Sequence, residues 1–342
     1  FVELGPLDKE AVAELARRSG ATIDVDELTA WTGGSPLLVT ELIRHLRDAA
    51  SPPDRDDVTG PLELPPSVNA VVSDAINNLG PDVAEFLQTG AILGRAFLLD
   101  DVARLGDASP EDCARLAERA HRAHLLLSDG AMFRFANDLV RQIAYRSTPE
   151  PIRVSRHRRA ARLLASQPEA AAHQLDAARD WSQAATAWMT AAETAQRRFA
   201  TFEARRLLDH AAASAERAQD QLVVTRVRMR RGEVSGELGD YPAAYADHSH
   251  AVELARDLMD EQLEAEALEL LGWTALYARD NHAAADLAAE ATVLAESAVA
   301  APRALPSARL LLGRVLHWDG DYAGAGAAYD SLAEAELDDE SL

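Results

Sequence analysis

Apolar residues recur at helical spacing over most of this chain. Val12, Leu15 and Ala16 share one face, and a helix opening after Asp24 carries Leu28 and Trp31. Gly33-Gly34-Ser35-Pro36 breaks the pattern. Pro36 suits the first turn of a new helix, whose Leu38, Val39, Leu42, Ile43 and Leu46 line one side. Residues 1–7, FVELGPL, read as a strand tail entering a turn, and residues 50–63 as a polar, proline-containing linker. Beyond it, Pro65-Pro66 opens a helix bearing Val68, Val71, Val72, Ala75, Ile76 and Leu79, which Gly80-Pro81 stops. A second helix carries Val83, Phe86, Leu87 and Ala91. Ser109-Pro110-Glu111-Asp112 supplies an N-cap, a proline at N1 and acids in the first turn of a helix reaching Leu125. Asp129-Gly130 between short apolar runs predicts a β-hairpin, and a last helix begins near Asn137.

Helices, a hairpin and a further helix describe a winged-helix domain over residues 64–150. From residue 151 to 342 the text is helical, with an internal repeat. Ala200-Thr201-Phe202, Gly239-Asp240-Tyr241, Arg279-Asp280-Asn281 and Gly320-Asp321-Tyr322 recur about every 40 residues. Gly232, Gly272 and Gly313 each precede a turn of the same kind. Each unit reads as helix, tight turn, helix, stacking on its neighbours. The expected fold is mainly α: a helical lid (1–49), a linker (50–63), a winged-helix domain with one β-hairpin, and TPR-like α-superhelical repeats.

Composition narrows the functions. The formal net charge is −22, with 56 acidic against 34 basic residues, so the chain is expected to make no direct contact with nucleic acid. Lys9 is the only lysine, and it lies in Asp8-Lys9-Glu10, so the chain has no Gly-Lys-Ser/Thr phosphate loop. ATP hydrolysis by this chain is therefore not expected. A single cysteine, Cys113, forms no disulfide within the chain and fits a reducing compartment. No apolar run of membrane-spanning length and no leader is seen, so a cytoplasmic location without membrane contact is expected. No spacing suggests a catalytic group or a metal site. His121 and His124 read as packing or surface residues, Gly94 to Phe97 as a packed turn, and Asp100-Asp101 as solvated turn residues. The one basic stretch, Arg153, Arg156, Arg158, Arg159 and Arg162, reads as a helix with acidic neighbours in space.

Two motifs stand out together: Thr32-Gly33-Gly34-Ser35-Pro36-Leu37 and Phe135-Ala136-Asn137-Asp138-Leu139. Each alone reads as a helix–helix turn or an N-cap pair. In order, however, a strand tail, a GGSPL lid, a winged helix ending in FANDLVR and helical repeats resemble the STAND class of nucleotide switches. The order is most similar to the large ATP-binding LuxR-type transcriptional regulators. The resemblance implies that Gly33, Gly34 and Pro36 approach adenine, and that Asn137 and Asp138 report the β-phosphate of ADP. Asn137 stands where that family usually has His. It further implies a P-loop NTPase core outside this chain, ATP or ADP bound there, an inducer or protein partner on the repeats, and oligomers on activation. The beginning and end of the chain accordingly read as cut from a longer protein. The alternative is a free-standing TPR-like interaction scaffold without nucleotide binding.

Overall fold

The structure is a computed structural model that describes residues 6–19, 24–48, 66–130, 132–297 and 304–339. Of the strand tail expected at residues 1–7, residues 1–5 lie outside the described residues, as do the linker at 50–63, the last residues of the acidic end and the side chains of Trp31, Leu46, Val68 and Val71. The chain divides into two compact units, Phe1–Leu163 and Leu164–Leu342. Among the described residues no helix is long and apolar enough to cross a membrane.

The first unit opens with α1 (Lys9–Ser19), α2 (Val25–Thr32) and α3 (Pro36–Asp48). Their apolar faces close on one another through Val12, Ala16, Leu28, Val39, Leu42 and Ile43. Next come α4 (Pro66–Asn77), α5 (Pro81–Leu93), β1 (Ala96–Leu98), α6 (Leu99–Gly106) and α7 (Pro110–Arg122). The hairpin β2 (Leu126–Asp129) and β3 (Met132–Phe135) leads to α8 (Asp138–Arg146) and α9 (Glu150–Leu163). The Ser109 hydroxyl caps α7 by accepting from the Asp112 N–H at 3.0 Å.

The strands form one antiparallel sheet in the order β1-β3-β2. Its third strand corrects the sequence reading, since Ala96-Phe97 pair with β3 rather than fill a turn. Phe97 is thereby wedged edge-on between Phe86 (6.0 Å) and Phe135 (5.7 Å). A second correction follows directly: Asp100 and Asp101 occupy the first turn of α6, where acids meet the positive end of a helix. Helix α9, counted with the repeats on its spacing, packs instead on α5 and α6 through Ala160, Ile92 and Leu105. Its arginines bind locally. Arg156 pairs with Glu85 at 2.9 Å, Arg159 pairs with Asp107 at 2.7 Å, and Arg153 lies over the Tyr145 ring.

Among the described residues the elements of the second unit are helices: α10 (Pro168–Ala177), α11 (Trp181–Gln196), α12 (Thr201–Ala218), α13 (Gln221–Glu237), α14 (Tyr241–Leu258), α15 (Glu261–Tyr277), α16 (Asn281–Ser297), α17 (Ala304–Asp319) and α18 (Tyr322–Asp339). The predicted turns join α11 to α12, α13 to α14, α15 to α16 and α17 to α18. Helices α11, α13, α15 and α17 also pack on one another in succession, forming one wall of the stack. Alanine dominates the contacts, as in the core around Ala184, Ala185, Ala192, Ala204 and Ala211. Gly232 receives the His248 ring and Gly313 the Tyr329 ring where a Cβ would collide. The large exception is Trp188, fully buried, whose indole N–H donates to Asp176 at 2.8 Å; the Ser214 hydroxyl donates to the same carboxylate at 2.6 Å.

Both kinds of connection have the same device. A residue with positive φ stands at Arg179, Phe199, Gln219, Gly239, Met259, Arg279 and Gly320. After most of them comes an aspartate that caps the next helix. Asp220, Asp240, Asp260, Asp280 and Asp321 each accept from the backbone N–H three residues on. Such a cap contributes about 1 kcal/mol.

Candidate functional site

The two motifs, about a hundred residues apart in sequence, meet in the first unit. Helix α2 ends at Thr32, where Gly33 (φ 59°) and Gly34 (φ 74°) turn the chain into α3. Both glycines are required. A Cβ on Gly33 would stand 2.9 Å from the Ala136 carbonyl oxygen and 3.2 Å from the Asn137 Cβ. A Cβ on Gly34 would run into the Leu7 carbonyl, on the segment whose Leu7 N–H donates to the Gly34 carbonyl at 2.7 Å. The turn is thus threaded between the N-terminal segment and the end of the wing, and side chains larger than hydrogen have no room.

Asn137 closes the contact. It is 6% exposed. Its Oδ1 caps α8 by accepting from the Val140 N–H at 2.9 Å, while its Nδ2 donates to the Thr32 carbonyl at 3.3 Å. One amide therefore caps the start of α8 and adds a second hydrogen bond at the end of α2, where the Thr32 carbonyl also accepts from the Ser35 N–H at 3.1 Å. The Asn-Asp pair is placed at the hairpin exit because β3 ends at Phe135, fully buried in the core, and α8 must start at once. Asn137 takes the cap and leaves Asp138 in the first helical turn.

Asp138 faces its own helix. Its carboxylate accepts from Arg141 Nε at 2.7 Å and Gln142 Nε2 at 2.6 Å. Burial opposes its charge, yet those two hydrogen bonds and the positive charges of Arg141 and Arg95 outweigh burial and hold the carboxyl below the ordinary aspartate range. What it contributes to stability is present above its unfolded value and lost as pH falls through the depressed folded one. Pro36 is exposed at the first position of α3. Of the five residues singled out by sequence, the structure therefore joins Gly33 to Asn137, seats Gly34 against Leu7, leaves Pro36 at the surface and turns Asp138 toward Arg141 and Gln142.

A second polar locus was not anticipated. On the wall made by the odd-numbered helices, Glu233 of α13 and Glu269 of α15 are held above the usual carboxylate range, each mainly by burial. Arg230 opposes the shift at Glu233, and hydrogen bonds from Trp273 and Ser307 oppose it at Glu269. The negative charge of Glu233 adds to the shift at Glu269. Their spacing in sequence has no motif, so only the packing of α13 on α15 reveals the pair. Among the described residues no group of three or more His, Cys, Asp or Glu side chains could hold a metal ion.

No protein-family model and no curated protein matches the chain. Solved structures similar to it include BtubC (BKLC) from P. vanneervenii, with 15% identity, a TM-score of 0.44, and coverage of 79% of this chain and 93% of the other. The apo form of RapI shares 11% identity at a TM-score of 0.44, over 95% of this chain and 76% of its own. A signal transduction ATPase with numerous domains (STAND) and a tetratricopeptide-repeat sensor, from Pyrococcus horikoshii, shares 13% identity at a TM-score of 0.30 over 98% of this chain. The chain spans 61% of that protein's length.

Proposed function

We propose that the chain is the lid, winged-helix and sensor portion of a STAND-type signalling ATPase, of the kind found in LuxR-type transcriptional regulators. One observation carries the reading: the Gly33 turn and the Asn137 step pack against each other, with Asn137 Nδ2 on the Thr32 carbonyl. In such a switch the lid and the wing close over one nucleotide, so the contact between them is where a nucleotide can bias the closed state. Exchange of the Thr32 carbonyl for a phosphate oxygen on Asn137 Nδ2 would convert nucleotide state into lid position. A ligand or partner protein on the repeats would act on the same equilibrium from a second site.

Of ATP or ADP, the residues present would meet adenine at Pro36 and one phosphate oxygen at Asn137 Nδ2, without a cradle for the phosphates. Pro36 is an exposed apolar ring, whereas Gly33 and Gly34 are packed against Ala136 and Leu7, and the sequence contains no Gly-Lys-Ser/Thr cradle. Hydrolysis and tight nucleotide binding therefore belong to a core outside this chain, and no catalytic step is assigned to residues within it. A free-standing repeat scaffold for protein partners is the second reading. What favours it is that Asn137 and Asp138 direct their hydrogen bonds to the protein itself. The gene separates the two. A GxxxxGK[S/T] segment encoded in frame before Phe1 is the expected result, and a reading frame without one would leave the scaffold.

A further inference from the structure

The first helical hairpin of the repeats differs from the others at its turn. Where later turns have Asp240, Asp280 and Asp321, this one reads Arg197-Arg198-Phe199-Ala200. Ala200 offers no side-chain cap to α12, and Gln167 offers none to α10. Beside this turn lies a cleft of about 710 Å³ formed by α10, the end of α11 and the start of α12, within the usual range for small-molecule sites. Arg197 and Arg198 line it, and neither has a carboxylate partner among the described residues; Arg197 donates instead to the Thr194 hydroxyl at 2.9 Å. Two carboxylates also line the cleft. Glu169 is paired with Arg206 at 3.0 Å, which leaves Glu203 as the single opposing charge.

An unneutralised arginine pair is conspicuous in a chain of net charge −22. Guanidinium forks match the planar, two-oxygen edges of carboxylate and phosphate. We propose that this cleft binds a small ligand carrying an oxyanion, carboxylate or phosphate, held by Arg197 and Arg198. The uncapped N–H groups of α12 add to the same preference, because an anion there meets free donors and the positive helix end. Ala170, Ala191, Ala195 and Leu207 line the same cleft and offer apolar surface to the rest of such a ligand. The inference deepens the sensor reading by giving the ligand's chemistry. It rests on that reading for the consequence of binding and not for binding itself.

Calorimetric titration of the 342-residue chain with inorganic phosphate and, separately, with citrate tests it. A saturable heat with one equivalent is expected from at least one anion. Phosphate alone would indicate a phosphorylated ligand, and citrate alone a carboxylate. The exposed pair changed together, Arg197→Gln with Arg198→Gln, should weaken binding at least about tenfold, which is the loss of one charge-assisted contact, with the melting temperature unmoved. Ala200→Asp supplies the cap found at the other turns. It should raise the melting temperature by roughly 2–4 °C while also weakening binding, a combination a purely structural role cannot produce. No saturable heat with either anion, or heats unchanged in both variants, would overturn the proposal. No nucleotide enters the titration, so its failure leaves the switch reading intact, and failure of the switch reading leaves the cleft intact.

Discussion

The two units are held together in opposite ways. Around the wing, Phe86, Phe97, Phe135, Leu126 and Leu139 interlock as large, differently shaped side chains. In the repeats, Ala184, Ala192, Ala204 and Ala211 let helices approach closely, and the same cap-and-turn device recurs at Asp220, Asp240, Asp260, Asp280 and Asp321. The first kind of core depends on what fills it, the second on what is kept out of it. The two proposed sites follow the same division. The first unit concentrates its distinctive chemistry in one contact, Thr32 and Gly33 against Asn137. The repeats carry theirs where the regular pattern lapses, at Ala200.

The contrast can be broken from the top down. Phe135→Ala should cost about 3–5 kcal/mol, since the ring is fully buried and packs edge-on against Phe97. The loss should appear as faster hydrogen exchange in peptides covering residues 81–146. In the repeats the damaging direction is reversed. Ala211→Leu, at a fully buried helix contact, should cost about 1–3 kcal/mol by overpacking, and retention of full stability in denaturant would refute the small-residue account. Asp240→Ala should cost about 1 kcal/mol. Because Asp240 and Asp280 cap different helices, adding Asp280→Ala should double the loss within roughly 0.5 kcal/mol.

The smallest effect is a matter of pH. Burial holds the Glu233 carboxyl above its unfolded value. Its protonated form therefore favours the folded state at pH below the unfolded value, and that benefit is lost as pH rises through the raised folded value. Glu233→Gln should accordingly stabilise the chain slightly at neutral pH, with the gain shrinking toward zero in acid. A gain that grew on acidification would show the sign to be wrong.

Much of the fold was legible. The helical hairpins from α11 to α18 were readable because their turn motifs recur about every 40 residues, and Gly239 and Gly320 marked two turns outright. The intervening turns at Gln219 and Met259 were missed because residues other than glycine adopt positive φ there. The following Asp220 and Asp260 were the available signal, since an aspartate falls close to every twentieth position from Asp220 to Asp280. Strand β1 spans only Ala96–Leu98, too short for alternation to register. For the site, the types of residue were readable and their engagement was not. Nothing in the spacing of Thr32 and Asn137 says that one amide serves both, because that contact arises only when α2 packs on α8.

The proposed switch contact between lid and wing is tested most directly by the rate of ADP release from a polypeptide in which this chain follows the P-loop core that the proposal requires. Asn137→His places an imidazole at that contact, cationic near pH 6 and neutral near pH 8. The variant should release ADP several-fold more slowly at pH 6 than at pH 8, while the unaltered protein shows no such difference. Identical release from both proteins across that range would contradict the account.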